Sequence, residues 1–109
     1  MGMPDITVTG TLAIGHCDHN GIYHRTFEMR LATMADVEEA MTEAGEGANQ
    51  ARVNRYLWAR TLTRLGQLSR DSITPELLGR LPDIEYGRFS DAEAELRKKL
   101  MASSVDAAN

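Results

Sequence analysis

The residues best suited to metal or nucleophile chemistry form one cluster in the first quarter of the chain. The cluster comprises His16, Cys17, Asp18, His19 and His24. Imidazole and thiolate are preferred zinc ligands, and a tight turn after His19 would put Cys17, His19 and His24 on one face of a strand pair. A structural zinc site needs four ligands, however, and the spacing matches no familiar finger or ribbon. We therefore interpret the cluster as polar residues at the tip of a hairpin and expect no bound metal.

The same thiol and imidazoles could act as a nucleophile and its base. Such a pair needs an orienting third group and an oxyanion hole, and an exposed hairpin tip encloses no substrate. The sequence also contains none of the patterns GxGxxG, GxxxxGK[ST], HExxH or GxSxG. Nucleotide, hydrolase and zinc-protease chemistry therefore have no support.

Acidic residues in the last third of the chain offer a third chemistry, a carboxylate pair for acid–base catalysis. Carboxylates on an exposed helix keep ordinary pKa values, and only burial would tune them for proton transfer. We interpret these residues as a solvated helix face and predict that the protein is not an enzyme, with no catalytic, cofactor-binding or metal-binding residues. The residues concerned are Asp83, Glu85, Asp91, Glu93 and Glu95.

Composition indicates one globular domain. The chain has 109 residues, 42% hydrophobic and 26% charged, and its formal net charge of -4 argues against nucleic acid as a partner. The single cysteine, Cys17, favours a reducing cytoplasm over an oxidising compartment. No apolar run is long enough to span a bilayer, so we expect no membrane partner.

A β-hairpin is predicted over residues 5–31, where apolar and polar residues alternate. Asn20-Gly21 is typical of a type I′ turn, in which both central residues have positive φ. The turn would fix the strand register as follows: Ile22 opposite His19, His24 opposite Cys17, Phe27 opposite Ile14, and Met29 opposite Leu12. One face of the hairpin would then be apolar, with these members: Leu12, Ile14, Phe27 and Met29.

Helical periodicity follows the hairpin. Thr33 with Asp36 approximates a capping box, and Thr74-Pro75 is typical of a helix start. We predict helices over about 34–44, 48–66, 75–81 and 84–101, with the second the longest. The fold class is therefore α+β, an N-terminal β-hairpin followed by a small bundle of three to four helices. The predicted domain covers residues 1–102, with a flexible tail over 103–109.

Two features of the hairpin and the first two helices carry open interpretations. Methionines could fill the core or form an adaptable protein-binding groove, and we favour the core for Met29, Met34 and Met41. An apolar stripe on the first helix is likewise expected to face inwards: Met34, Val37, Met41 and Ala44. Acids on the first helix and arginines on the second could pair in an antiparallel arrangement, although we favour ordinary solvated faces. The two sets are Asp36, Glu38, Glu39 and Glu43, and Arg52, Arg55, Arg60 and Arg64.

One family resemblance emerges in the stretch from Arg60 to Leu100. Its segments LTRLG, ITPELLGRLP and DIEYGRF, with the preceding RLATMADVEEA, resemble the tail assembly chaperones of Mu-like tailed phages. The hairpin tip with His16, Cys17 and His24 is not a feature of that family.

The resemblance implies a non-enzymatic assembly factor in the cytoplasm of the infected host. It would coat the tape measure protein, help to recruit tail tube subunits and be absent from the finished virion. Members are commonly made in a short and a frameshift-extended form, and the chain could also form a homo-oligomer. Two alternatives are a small structural virion or adaptor protein and, less favoured, a transcriptional regulator that uses the arginines of the second helix.

Overall fold

A three-stranded antiparallel sheet and four α-helices make up the described part of the chain. The computed structural model describes residues 6–108, with side chains as far as Ser103. The strands are β1 (Thr7–Cys17), β2 (Tyr23–Arg30) and β3 (Leu62–Leu65), in the order β1-β2-β3. The helices are α1 (Met34–Ala44), α2 (Gln50–Thr61), α3 (Pro75–Gly79) and α4 (Glu85–Ala108), and a 3-10 turn covers Arg70–Ser72. The predicted α+β class with an N-terminal hairpin is confirmed.

The core lies between the inner face of the sheet and helices α2 and α4. Phe89 of α4 is central to it, because its ring lies 5.1 Å from that of Phe27 and 5.4 Å from that of Trp58. Burial of such aromatic and aliphatic surface is the main favourable term in folding. The largest fully buried apolar side chains are Phe27, Leu12, Met29, Leu62, Leu65 and Leu96.

The predicted hairpin register is wrong, because β1 is longer than its partner strand requires. Four residues of β1, 12–15, lie opposite the single residue Arg25 of β2. As a result Ile14 is 50% exposed and not part of the apolar face. The observed pairs include Val8 with Met29, Gly10 with Phe27, His16 with His24, and Cys17 with Tyr23.

The predicted type I′ turn is also wrong, although glycine does supply a left-handed residue. Gly21 has φ 81°, and no other described residue of the loop has positive φ. The Gly21 N–H donates to the Asp18 carbonyl over 3.0 Å, and the Asp18 N–H donates to the Ile22 carbonyl over 2.9 Å. The Asp18 carboxylate favours this longer loop, since it accepts the N–H groups of Asn20 and Ile22.

Helix α1 has the predicted bounds, but the other three helices do not; α3, predicted over 75–81, ends at Gly79. The predicted second helix over 48–66 stops at Thr61, because Leu62–Leu65 pairs with the open edge of β2 instead. Leu62 and Leu65 are both fully buried in β3, because a bulge at Thr63 puts them on the same face of the sheet, opposite Met29 and Phe27. The prediction that the second helix is the longest is wrong: α4 is the longest described helix and continues to Ala108, past the predicted start of the tail at residue 103. Residue 109 lies outside the described residues.

Candidate binding surfaces and the residues that position them

Helix α1 exposes three of the four residues of its apolar stripe, contrary to expectation, and buries only Ala44. Met34, Val37 and Met41 are 83%, 38% and 56% exposed, and we call these three residues the α1 ridge. The adjacent side of the helix, with the small residues Ala40 and Ala44, is buried against α2. The small residues allow close helix packing, so the bulky stripe is left in solvent. Of the three methionines assigned to the core, only Met29 is buried.

A small depression adjoins the α1 ridge. Its volume is about 190 Å³, and Met34 and Val37 line it together with Leu57 of α2 and Leu96 of α4. The ridge and the depression form one continuous surface with flexible thioether side chains, and the charged residues Arg30, Glu93 and Arg97 also line the depression. Such a surface can adjust its shape to a partner side chain.

Asp36 fixes the position of α1. Its buried carboxylate accepts hydrogen bonds from Nη1 and Nη2 of Arg30, over 2.7 and 3.1 Å. Arg60 Nε lies 3.5 Å from the same carboxylate. The same carboxylate completes the predicted capping box with Thr33. The hydrogen bond from Arg30 is the main reason that the pKa of Asp36 lies well below its ordinary value. The end of β2, the start of α1 and the end of α2 therefore meet at one charge cluster.

The antiparallel pairing of acids and arginines, which we did not favour, occurs at Arg60. Besides Asp36, Arg60 pairs with Glu39 and lies 3.8 Å from Glu43. Arg64 lies on β3 and Arg60 faces α1, so the four arginines do not share one face as a DNA recognition helix would require.

A larger groove lies on the other side of α2. We call it the α2–α4 groove; its volume is about 820 Å³, and its walls are α2, α3 and the first turns of α4. Buried side chains of Trp58, Leu78 and Phe89 form its bottom, and Tyr86, packed edge-on against Trp58 at 4.8 Å, stands at its side. The size and the apolar lining are typical of a ligand or peptide site.

Arg52 and Arg55 line the same groove. Arg52 Nε donates to the Ala44 carbonyl and Arg55 Nη1 to the Pro75 carbonyl, each over 2.8 Å. Both guanidinium groups lie near the Tyr56 ring, at 5.3 and 5.6 Å from its centroid. Neither has a carboxylate partner among residues 6–103. They are therefore two positioned but uncompensated cations.

Glu85 is buried, which contradicts its predicted place on a solvated helix face. It is 1% exposed and accepts three backbone N–H groups of β1: Ala13 over 2.7 Å, Ile14 over 2.8 Å and Gly15 over 2.7 Å. Burial raises the pKa of Glu85, but the three hydrogen bonds outweigh it and the pKa lies below its ordinary value. Gly15 has φ 91° and passes against the His24 carbonyl, where a Cβ would clash. The extra residues of β1 thus form a cradle for one carboxylate.

The hairpin-tip cluster forms a hydrogen-bonded network around His24. His24 is buried, its Nε2 lies 2.8 Å from Asp18 Oδ2, and its Nδ1 accepts the Gln67 N–H over 3.1 Å. Because Nδ1 is an acceptor, Nε2 carries the proton and donates to Asp18. This hydrogen bond is the main reason that the pKa of Asp18 is lowered to about 2.

The predicted meeting of three zinc ligands on one face does not occur. His24 lies opposite His16, while Cys17 and His19 are exposed. Within the described part of the chain no group of three or more His, Cys, Asp and Glu side chains could hold a metal ion. The network instead links the hairpin tip to the segment after β3.

Comparison of the chain with protein-family models, with curated proteins and with solved structures gives no match. Across the described residues, no helix combines the length and the apolar character needed to cross a membrane.

Proposed function

We propose that this protein is a non-enzymatic tail assembly chaperone that binds the tape measure protein through the α1 ridge and helps to recruit tail tube subunits. The observation that carries the proposal is that Met34, Val37 and Met41 face solvent on a helix whose position Asp36 fixes. A contiguous exposed apolar surface is typical of a protein-binding site.

The geometry of the ridge suits a helical client. Its residues lie at positions i, i+3 and i+7 of α1, so they form a straight row that can pack beside the apolar row of another helix. The adjoining depression beside Leu57 and Leu96 could take one larger client side chain. Exposed segments of a long tape measure protein before tail assembly would present such apolar rows.

Calorimetry with a purified fragment of the tape measure protein from the same phage tests the proposal. Met34→Gln combined with Met41→Gln should weaken binding about tenfold or more, because two buried apolar contacts of roughly 1 kcal/mol each are lost. Binding by the unaltered chain should survive a rise in salt from about 0.1 to 0.5 M, since screening weakens charge pairs and not apolar contacts.

Ile22→Gln is the matched control, because Ile22 is an exposed apolar residue at the far hairpin tip. It should leave the affinity unchanged, and thermal unfolding should show that all variants fold. Equal binding by the double variant and the unaltered chain would refute the ridge as the client site. A further measurement separates a chaperone from a structural virion protein: mass spectrometry should find the chain in phage-producing cells and not in purified particles.

A further inference from the structure

The α2–α4 groove is separate from the α1 ridge and has its own chemistry. On α2 it is lined by Ala51, Arg52, Arg55 and Trp58, which are positions i, i+1, i+4 and i+7 of one helix face. At 1.5 Å per residue this face is about 10 Å long, or two helical turns. This length matches about two turns of a partner helix that lies along α2.

The two arginines define the charge of the occupant. On the α1 side of α2, Arg60 is neutralised by three acids, whereas Arg52 and Arg55 have no carboxylate partner among residues 6–103. Their carbonyl partners hold them in place beside the groove. A guanidinium that is already ordered loses little entropy on binding and favours a carboxylate in a two-bond arrangement.

Gly79 shows that the packing keeps Arg55 in this position. A Cβ at Gly79 would collide with the end of the Arg55 side chain, so the absence of a side chain in α3 leaves room for the guanidinium. The opposite side of the groove carries Tyr86, whose hydroxyl accepts a hydrogen bond from Asn54 over 2.7 Å, and the acidic Asp83. The positive charge is therefore confined to the α2 and α3 side.

We infer that the α2–α4 groove binds an acidic amphipathic helix of a partner protein. About two turns of the partner would place apolar side chains against Tyr86, which is 40% exposed, and its carboxylates would pair with Arg52 and Arg55. This site is distinct from the proposed client surface on α1 and does not depend on it.

A displayed library of random helical peptides, selected on the full chain, tests the inference. The enriched peptides should carry apolar residues at helical spacing and a surplus of Asp and Glu on one flank. Trp58 is the only tryptophan of the chain and lies at the bottom of the groove, so its fluorescence should change when a selected synthetic peptide binds. Arg52→Gln with Arg55→Gln should weaken binding about tenfold or more, and added salt should weaken binding to the unaltered chain.

Three further variants test separately the charge at position 55, the position of the Arg55 side chain, and the independence of the groove from the α1 ridge. Arg55→Lys should retain only part of the affinity of the unaltered chain for the peptide, because lysine keeps the positive charge but cannot form the two parallel hydrogen bonds that a guanidinium makes to a carboxylate. Gly79→Ala should weaken binding while the protein stays folded, since it displaces a flexible side-chain end and not the backbone. Met34→Gln with Met41→Gln, on the α1 ridge, should have no effect on the peptide.

Several results would overturn the inference. They are the enrichment of no peptide, the enrichment of peptides without acidic residues, and full binding by the Arg52→Gln, Arg55→Gln variant. Sedimentation of the chain alone could give another result that overturns the inference. If the unaltered chain dimerises and the arginine variant stays monomeric, the occupant is a second copy of this chain and not a partner helix.

Discussion

Two buried carboxylates, Glu85 and Asp36, hold the two candidate surfaces in place by different means. Glu85 anchors the first turn of α4, one wall of the α2–α4 groove, to β1 through three backbone N–H groups. Asp36 anchors the ridge-bearing helix α1 through the side chains of Arg30 and Arg60. The first carboxylate is satisfied mainly by the main chain and the second by charged side chains.

The kind of donor, main chain or side chain, decides how much stability is lost when the carboxylate is removed. Backbone N–H groups cannot turn away to solvent without distorting β1, so they remain unsatisfied if Glu85 is lost. Arg30 and Arg60 are about one third exposed at their side chains and can be hydrated if Asp36 is lost. Main-chain satisfaction is therefore the more rigid of the two and the more costly to break.

The largest effect is expected from replacing Glu85. Glu85→Ala should lower the free energy of unfolding by about 3–5 kcal/mol, because three N–H groups at the bulge lose their acceptor. Glu85→Gln should cost about 2–3 kcal/mol, since its amide NH₂ faces other donors. Urea unfolding measures both changes. Glu95→Gln, on the exposed side of α4, is the control and should stay within about 0.5 kcal/mol. A Glu85→Gln effect as small as that of the control would contradict the comparison.

A smaller effect is expected from Asp36→Asn. It should cost about 1–2 kcal/mol, because asparagine keeps an oxygen for the Thr33 cap and the arginines gain water in place of the charge pair. The cost should shrink in about 0.5 M salt, whereas that of Glu85→Gln should not. Glu38→Gln, exposed on the same helix, is the matched control. Equal salt dependence of the Asp36 and Glu85 effects would show that the two anchors are alike.

The smallest effect is a difference in how the free energy of unfolding changes as the pH falls. Folding lowers the pKa of both carboxyls, so the stability that each contributes is complete above its ordinary pKa and is lost as the pH falls through its folded pKa. The difference in free energy of unfolding between the unaltered chain and Glu85→Gln should begin to shrink below pH 4.5, the ordinary pKa of Glu85. The corresponding difference for Asp36→Asn should begin to shrink below pH 3.8, the ordinary pKa of Asp36. Urea unfolding over a pH series measures both differences. A difference that widens as the pH falls would reverse the assigned direction of the pKa.

Much of the local structure was predictable from the sequence. The capping box of Thr33 and Asp36, the helix start at Thr74-Pro75 and the left-handed Gly21 all match the structure. Each depends on hydrogen bonds or dihedral preferences within about four residues, which the sequence states directly. The alternation in β1 and β2 likewise identified Leu12 and Phe27 as buried.

The candidate surfaces were only partly predictable. Two interpretations were open for the methionines of α1 and for the arginines of α2, and the favoured one was wrong for Met34, Met41 and Arg60. Helical spacing identifies a stripe without identifying what packs against it. Burial of α1 through Ala40 and Ala44 reversed the assignment of Met34 and Met41. No signal in the sequence distinguished Glu85 from its solvated neighbours.

The sequence by itself determined the helix starts, the hairpin and the α+β class, since these follow from short-range patterns. Only the tertiary structure decided that Leu62–Leu65 is a strand, because the open edge of β2 offers partners that a helix end does not have. The same holds for Glu85, whose hydrogen-bond donors lie 70 to 72 residues away along the chain. Contacts of that separation exist only once the core has brought α4 against β1, and the α2–α4 groove depends on that packing.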